Sequence, residues 1–242
     1  MSGIHNADVP EQAGDQEMEK DRQGGPASSM KAGGGLFIIS APSGAGKTTL
    51  GREIMKMIKG LRESVSYTTR KPRAGERDGA DYNFISREEF VLMAGRGEFL
   101  ESAEVHGNYY GTSRKDLESI LAGGEDVILD IDTQGARQLK TKAPFPGAVY
   151  IFILPPSLDV LRQRLTARNT EGEAQVVLRL QNALGEIREY EMYDYVIVND
   201  RLDDALERLK AVIMADRSAL KRVDRAWVNK NFNLSKKEVF PE

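Results

Sequence analysis

Between Leu36 and Lys59 a short apolar run, a glycine-bearing loop and a helical pattern follow one another without a gap, and that order leaves few folds open. Leu36-Phe37-Ile38-Ile39-Ser40 is continuously apolar rather than alternating, which suits a strand covered on both faces in a parallel sheet. In the loop, Ala41-Pro42-Ser43-Gly44-Ala45-Gly46-Lys47-Thr48, the two glycines let the backbone turn its N–H groups inward. The helix that begins near Thr48 and runs to Lys59 adds the positive end of its dipole. Converging N–H groups, a helix N-terminus and a lysine together form a receptor for a polyanion.

The octapeptide resembles a P-loop, or Walker A motif, in a strand–loop–helix context that fits it. It departs from the strict pattern at Ala41, where glycine is commonest, a residue that ends the strand. The resemblance implies that Ala41, Pro42, Ser43, Gly44, Ala45, Gly46, Lys47, Thr48 and Thr49 bind ATP. Lys47 would reach the β- and γ-phosphates, and the Thr48 hydroxyl would ligate Mg²⁺ together with phosphate oxygens. Apolar runs return at Val127 to Ile131, Val149 to Leu154 and Tyr195 to Val198, with helical patterns between them. Leu202, Ala205, Leu206, Leu209, Val212 and Ile213 share one stripe at amphipathic-helix spacing. Strands alternating with helices predict βαβ units, a mostly parallel sheet and right-handed crossovers, hence an α/β fold. The Val127 run ends in Asp130-Ile131-Asp132, at a strand carboxyl end where such sheets gather ligands. Beside a phosphate loop, Asp130 or Asp132 reads as a Walker B acid holding Mg²⁺ through water; alone, the pair is an acidic strand end that begins a turn.

Composition excludes several alternatives. The 242 residues contain no cysteine, so disulfides, thiolate-bound zinc and a cysteine nucleophile are ruled out. A net charge of −3 speaks against a general nucleic-acid binder, and no apolar run approaches the roughly 18 residues that a bilayer crossing needs. The first 33 residues carry Asp8, Glu11, Asp15, Glu17, Glu19 and Asp21 with almost no bulky apolar groups, so a disordered leader is expected, with a start at Met30 left open. It lacks the apolar stretch of an ordinary secretory signal, and a cytoplasmic location is expected. From residue 224 to 242 a charged, frayed tail containing Trp227, Phe232 and Phe240 is expected.

The segment after the phosphate loop narrows the chemistry. Ser64-Val65-Ser66-Tyr67-Thr68-Thr69-Arg70-Lys71-Pro72-Arg73-Ala74-Gly75-Glu76 is followed by Asp81-Tyr82-Asn83-Phe84, Glu98-Phe99-Leu100-Glu101 and Asn108-Tyr109-Tyr110-Gly111-Thr112. With the phosphate loop and Asp130-Ile131-Asp132-Thr133-Gln134-Gly135, this series resembles guanylate kinase in order and spacing from about Leu36 to Val223. The resemblance implies a P-loop core at 34–65, 118–158 and 181–223, an inserted GMP-binding segment at 66–117 and a mobile lid at 159–180. It implies that Arg70, Arg73, Tyr82 and Tyr110 hold the GMP phosphate while Ser66, Glu101, Thr112 and Asp130 surround guanine. The base chemistry agrees: guanine offers N1–H and its amino group as adjacent donors, which an acceptor-only carboxylate at Glu101 can take, and a Ser66 or Thr112 hydroxyl can donate to O6. Adenine, with an acceptor at N1, would leave both sides unpaired.

Read singly, Arg70 and Arg73 also suit a solvated basic turn, Tyr82 and Tyr110 amphipathic core positions, and Glu101 an exposed acid. Their joint occurrence favours the nucleotide reading. Within the lid the resemblance implies that Arg164, Arg168 and Arg179 close over the ATP phosphates, for which a planar, permanently charged fork is suited. The same arginines could pair along helix surfaces with Glu171, Glu173 and Glu186. Asn199 lies where the family contacts the adenine side of ATP, but capping the helix that starts near Leu202 explains the residue equally well. The implied reaction is direct in-line transfer with the GMP phosphate as nucleophile, needing neither a serine nor a general base, and His5 and His106 have no role in it. A non-catalytic partner-binding module of the same family is the alternative; the intact Gly46-Lys47-Thr48 argues against it. Use of dGMP and the choice between monomer and homodimer stay open.

Overall fold

The computed structural model describes residues 33–105, 107–142, 144–167 and 173–234. Expectations placed on residues 1–32, His106, Arg168, residues 169–172 and Phe240 concern positions outside that set. Contacts divide the described residues into two units, 33–222 and 223–234.

The larger unit opens with β1 (Leu36–Ser40), α1 (Lys47–Met57) and β2 (Leu61–Glu63). A second group follows: β3 (Tyr67–Thr68), β4 (Asn83–Phe84), α2 (Arg87–Gly95), β5 (Phe99–Val105) and β6 (Asn108–Ser113). The chain then continues through α3 (Arg114–Ala122), β7 (Asp126–Asp130), α4 (Thr133–Thr141), β8 (Val149–Leu154), α5 (Leu158–Ala167) and α6 (Glu173–Ile187). After a 3₁₀ turn at Arg188–Met192 come β9 (Tyr195–Val198) and α7 (Leu202–Arg217).

Five strands form one sheet in the order β2-β7-β1-β8-β9, and every pairing in it is parallel. The continuous apolar reading of β1 is explained by burial of all five of its residues. Phe37 and Ile39 face one way, against Leu50 and Ile54 of α1 and Leu209 and Ile213 of α7. Leu36 and Ile38 face the other, with Leu117 and Leu121 of α3 and Ala136 and Leu139 of α4. The chain leaves β1 toward β2 on one side and later crosses to β8 and β9 on the other, so the loops after β1 and β7 border the crevice at the strand carboxyl ends.

The other sheet runs β4-β3-β6-β5, parallel between β3 and β4 and antiparallel elsewhere. It was not legible as a sheet in the sequence, because two of its strands are only two residues long. Phe90 of α2 stacks on Phe99 at 4.4 Å and anchors that helix to β5. The helix starts follow local chemistry: Ser86 accepts the Glu89 N–H at 3.0 Å, Ser113 that of Asp116 at 3.2 Å and Asp132 that of Gly135 at 2.8 Å.

A buried ionic cluster joins the end of α7 to the start of the sheet. Asp126, with no exposed surface, accepts the Gly35 N–H at 2.6 Å, Arg217 Nε at 2.6 Å and Arg222 Nη2 at 2.5 Å. Such a carboxylate can be buried only because cations surround it.

Two expectations need correction. The tail is not patternless: α8 (Arg225–Asn231) forms there, with Asp224 accepting the Ala226 N–H at 2.8 Å and Trp227 edge-on to Phe232 at 6.3 Å. The run from Arg225 to Asn231 is too short for a periodic signal, and the cap supplies what periodicity does not. Asn199 does not cap the following helix, whose capping position is Arg201; the asparagine is committed elsewhere. Among the described residues no helix is long and apolar enough to cross a membrane.

Candidate active site

The phosphate loop is held in its turn by glycine backbone that other residues rarely adopt, with φ of 90° at Gly44 and 95° at Gly46. Space imposes a second demand. A Cβ on Gly46 would sit 2.4 Å from Asn199 Nδ2, and one on Gly44 would lie 3.0 Å from both Leu161 and Leu165. Asn199, 6% exposed at the end of β9, donates its amide to Ala45 O at 2.8 Å, so it braces the loop from beneath. Arg164 Nη2 in turn donates to Asn199 O at 3.0 Å. Gly44, Gly46, Arg164 and Asn199, with Thr49 and Leu202, border a cavity of about 430 Å³ beside the loop. Arg179 lies part-buried on α6.

Lys47 opens α1 and reaches across to the end of β7. Its ammonium donates to the Asp130 carboxylate and, at 3.0 Å, to Ile131 O. Asp132 has a different commitment, since it caps α4. Among the described residues, no group of three or more acidic, histidine or cysteine side chains is placed to hold a metal ion. What the site offers instead is the exposed Thr48 hydroxyl and the Asp130 carboxylate bordering the same cavities.

Two cavities share Lys47, Thr48, Arg73, Tyr82 and Asp130. One, about 640 Å³, runs along α1 past Gly51 and Met55. The other, about 530 Å³, extends to Ser66, Arg70, Glu101, Tyr110 and Asp132. The second sheet supplies this far wall. Arg70 presents Nη1 and Nη2 to the two carboxylate oxygens of Glu76, both at 2.9 Å, and Nη1 also donates to Lys71 O at 2.8 Å. Its guanidinium lies 5.3 Å from the Tyr82 ring centroid, and Tyr82 is 6.0 Å from Tyr110. The bond from Arg70, backed by the Arg73 N–H at 2.7 Å, holds the Glu76 carboxyl below the ordinary carboxylate range.

Glu101 is the outlier. Only 6% exposed, it has its carboxyl pushed up to about 7 by burial, while the Thr112 hydroxyl, donating at 2.7 Å, opposes that rise. Thr112 is itself fully buried and spends its hydroxyl on Glu101, so it supports the carboxylate rather than standing open to a base. The structure therefore brings together Lys47, Thr48, Ser66, Arg70, Arg73, Tyr82, Glu101, Tyr110, Asp130 and Asp132, while Arg164 and Asn199 border the neighbouring cavity.

The roles of three acids there were not legible in the sequence. Glu63, at the end of β2, borders both large cavities. Glu76 holds Arg70, and Glu186 of α6 accepts the Ser43 N–H at 3.2 Å. Partial burial pushes the Glu186 carboxyl up, and the Ser43 bond pulls it back. Each reads in the sequence as an ordinary surface charge, and no periodicity connects it to its partner.

A family profile described as guanylate kinase matches residues 34–216. A guanylate kinase of Geobacter metallireducens is 57% identical over 194 residues, covering 80% of this chain and 95% of that protein. One of Geobacter sulfurreducens is 56% identical over 194 residues with the same coverage. The crystal structure of guanylate kinase from Anaplasma phagocytophilum superposes with a TM-score of 0.67 at 35% identity, covering 86% of this chain and 97% of that one.

Proposed function

This chain belongs to the guanylate kinase family, and from that premise we propose that it moves the γ-phosphoryl group of ATP directly onto the phosphate of GMP, giving ADP and GDP. One observation carries the proposal: Lys47 and Thr48 of the phosphate loop border the same cavity as Glu101 and Tyr110 of the second sheet. A triphosphate cradle and a guanine-reading carboxylate thus address a single space.

In this reading a GMP phosphate oxygen attacks the γ-phosphorus as the bond to the β–γ bridging oxygen breaks, and ADP leaves with that electron pair. The nucleophile is already an anion, so no general base is required. Lys47 leaves Asp130 to follow the transferring group, because a polyanion outcompetes one carboxylate for the ammonium. Arg70, Arg73, Tyr82 and Tyr110 hold the acceptor phosphate, and Arg164, Arg168 and Arg179 neutralise charge from the ATP side. Holding both nucleotides in line supplies roughly 7–11 kcal/mol of the barrier reduction. Closure of residues 159–180 over 66–117 and the phosphate loop would exclude water, which otherwise takes the γ-phosphoryl group.

Thr48, directly, and Asp130, through water, would hold an Mg²⁺ that arrives with the phosphates. Bound there, Mg²⁺ would supply charge neutralisation for the phosphates. Of the two candidate acids Asp130 is favoured in this reading, because it borders both cavities with Thr48 whereas Asp132 borders one and caps α4.

The test is a coupled assay with ATP, Mg²⁺ and each of GMP, AMP, CMP and UMP. Turnover with GMP alone is expected; preference for AMP overturns the acceptor assignment.

A further inference from the structure

Glu101 is placed by the second sheet, where Thr112 donates to its carboxylate, but the strand that carries it and the space it occupies are also bounded by α4, the helix that follows the acids at the end of β7. Strand β5 is an edge strand, paired with β6 on one side only. At its open edge the Gln138 amide takes the place of a missing strand: Gln138 Nε2 donates to Ser102 O at 3.0 Å, and Ser102 N–H donates to Gln138 Oε1 at 3.4 Å. A primary amide offers the donor and acceptor pair of a peptide group, so one side chain completes one rung of a ladder. Ser102 is the residue next to Glu101. The pairing of β5 with β6 also shifts register between Phe99 and Glu101, an irregularity of the kind that re-aims side chains.

One helical turn before Gln138, α4 approaches the carboxylate itself. A Cβ at Gly135 would lie 2.8 Å from Glu101 Oε2 and 3.4 Å from Glu101 Cδ. The crowded atoms belong to the Glu101 side chain and to the Asp132 carboxylate at 3.4 Å, not to backbone. A methyl group there would move the reading atoms and leave the fold intact.

We propose that Gln138 and Gly135 of α4 are positioning residues for base specificity, Gln138 fixing the strand that carries Glu101 and Gly135 leaving the space its carboxylate occupies. The inference rests on the reading of Glu101 as the acceptor of the guanine N1–H and amino group. It makes the helix capped by Asp132 a shared reference for the phosphate end and the base end of the site.

The discriminating readout is the ratio of kcat/KM for GMP to that for inosine monophosphate, which keeps N1–H but lacks the amino group. Loss of general stability would lower both rates and leave the ratio alone. Glu101→Ala should abolish the preference. Gln138→Leu, similar in size but unable to hydrogen-bond, and Gly135→Ala should each lower the ratio by on the order of tenfold, the value of one well-made hydrogen bond, with the KM for ATP within about twofold of the parent. If Glu101→Ala abolishes the preference while both α4 variants keep it, the positioning role is overturned and the base-reading role stands. If Glu101→Ala retains the preference, the reading of Glu101 fails and the inference with it.

Discussion

At Glu101 the cost of selectivity is written into one side chain. A carboxyl buried without a cation is disfavoured as an anion, yet guanine's two donors call for the anion. With its titration raised to about 7 from the usual 4.5, the folded, empty protein binds more protons than the unfolded chain between those values. Stability contributed by the neutral carboxyl is therefore complete below pH 4.5 and is lost as pH rises through 7. Glu101→Gln should raise the unfolding free energy at pH 8 by roughly 3 kcal/mol and change it little at pH 4, as measured by urea denaturation. For GMP the sign reverses, since binding selects the carboxylate: KM for GMP should rise on the order of tenfold from pH 8 to pH 6, while KM for ATP follows no such profile. Lys47→Ala should remove turnover altogether, because Lys47 is the ammonium that stands at the end of β7 against Asp130; measurable activity in that variant contradicts the cradle assignment. Glu76→Gln leaves Arg70 with a weaker partner, and a several-fold higher KM for GMP at near-parental kcat is expected from steady-state assays.

Among the elements, β9, α6 and α4 hold the site, and each does so through a contact far away in sequence. β9 delivers Asn199 beneath the phosphate loop, α6 brings Glu186 to Ser43, and α4 meets β5 through Gln138. The end of α7 is fastened by Asp126, which lies at the start of β7 and is surrounded by Arg217, Arg222 and the Gly35 N–H. Removing that carboxylate strands buried cations, so Asp126→Ala should lower unfolding free energy by about 3–5 kcal/mol in urea titrations. Because the cluster lies at the opposite end of the strands from Lys47, the fraction that remains folded should keep its KM for both nucleotides.

For the molecule as a whole, a crevice between a parallel sheet and a smaller mixed sheet lets two anions meet that would repel each other in water. Chelation of Mg²⁺ with excess EDTA should abolish transfer and leave GMP binding detectable by calorimetry; undiminished transfer overturns the Mg²⁺ reading. The strand–loop–helix order, the parallel sheet and the phosphate cradle were all legible in the amino-acid sequence, because each depends on residues adjacent in the chain: the apolar run of β1, the glycines of the loop, the stripe of α7. The acceptor residues were legible only as a series of motifs, since Arg70, Glu101 and Tyr110 carry no local signature of shared purpose. Tertiary structure alone decided the rest. That Asn199 braces Ala45 rather than capping α7, that Thr112 serves Glu101, and that Glu76, Glu186 and Gln138 belong to the site are matters of through-space geometry. A side chain's partner, whether 6 residues away as for Glu76 and Arg70 or 154 as for Asn199 and Ala45, is set by how turns, sheets and helices pack, and sequence periodicity reports only which face of its own element it occupies.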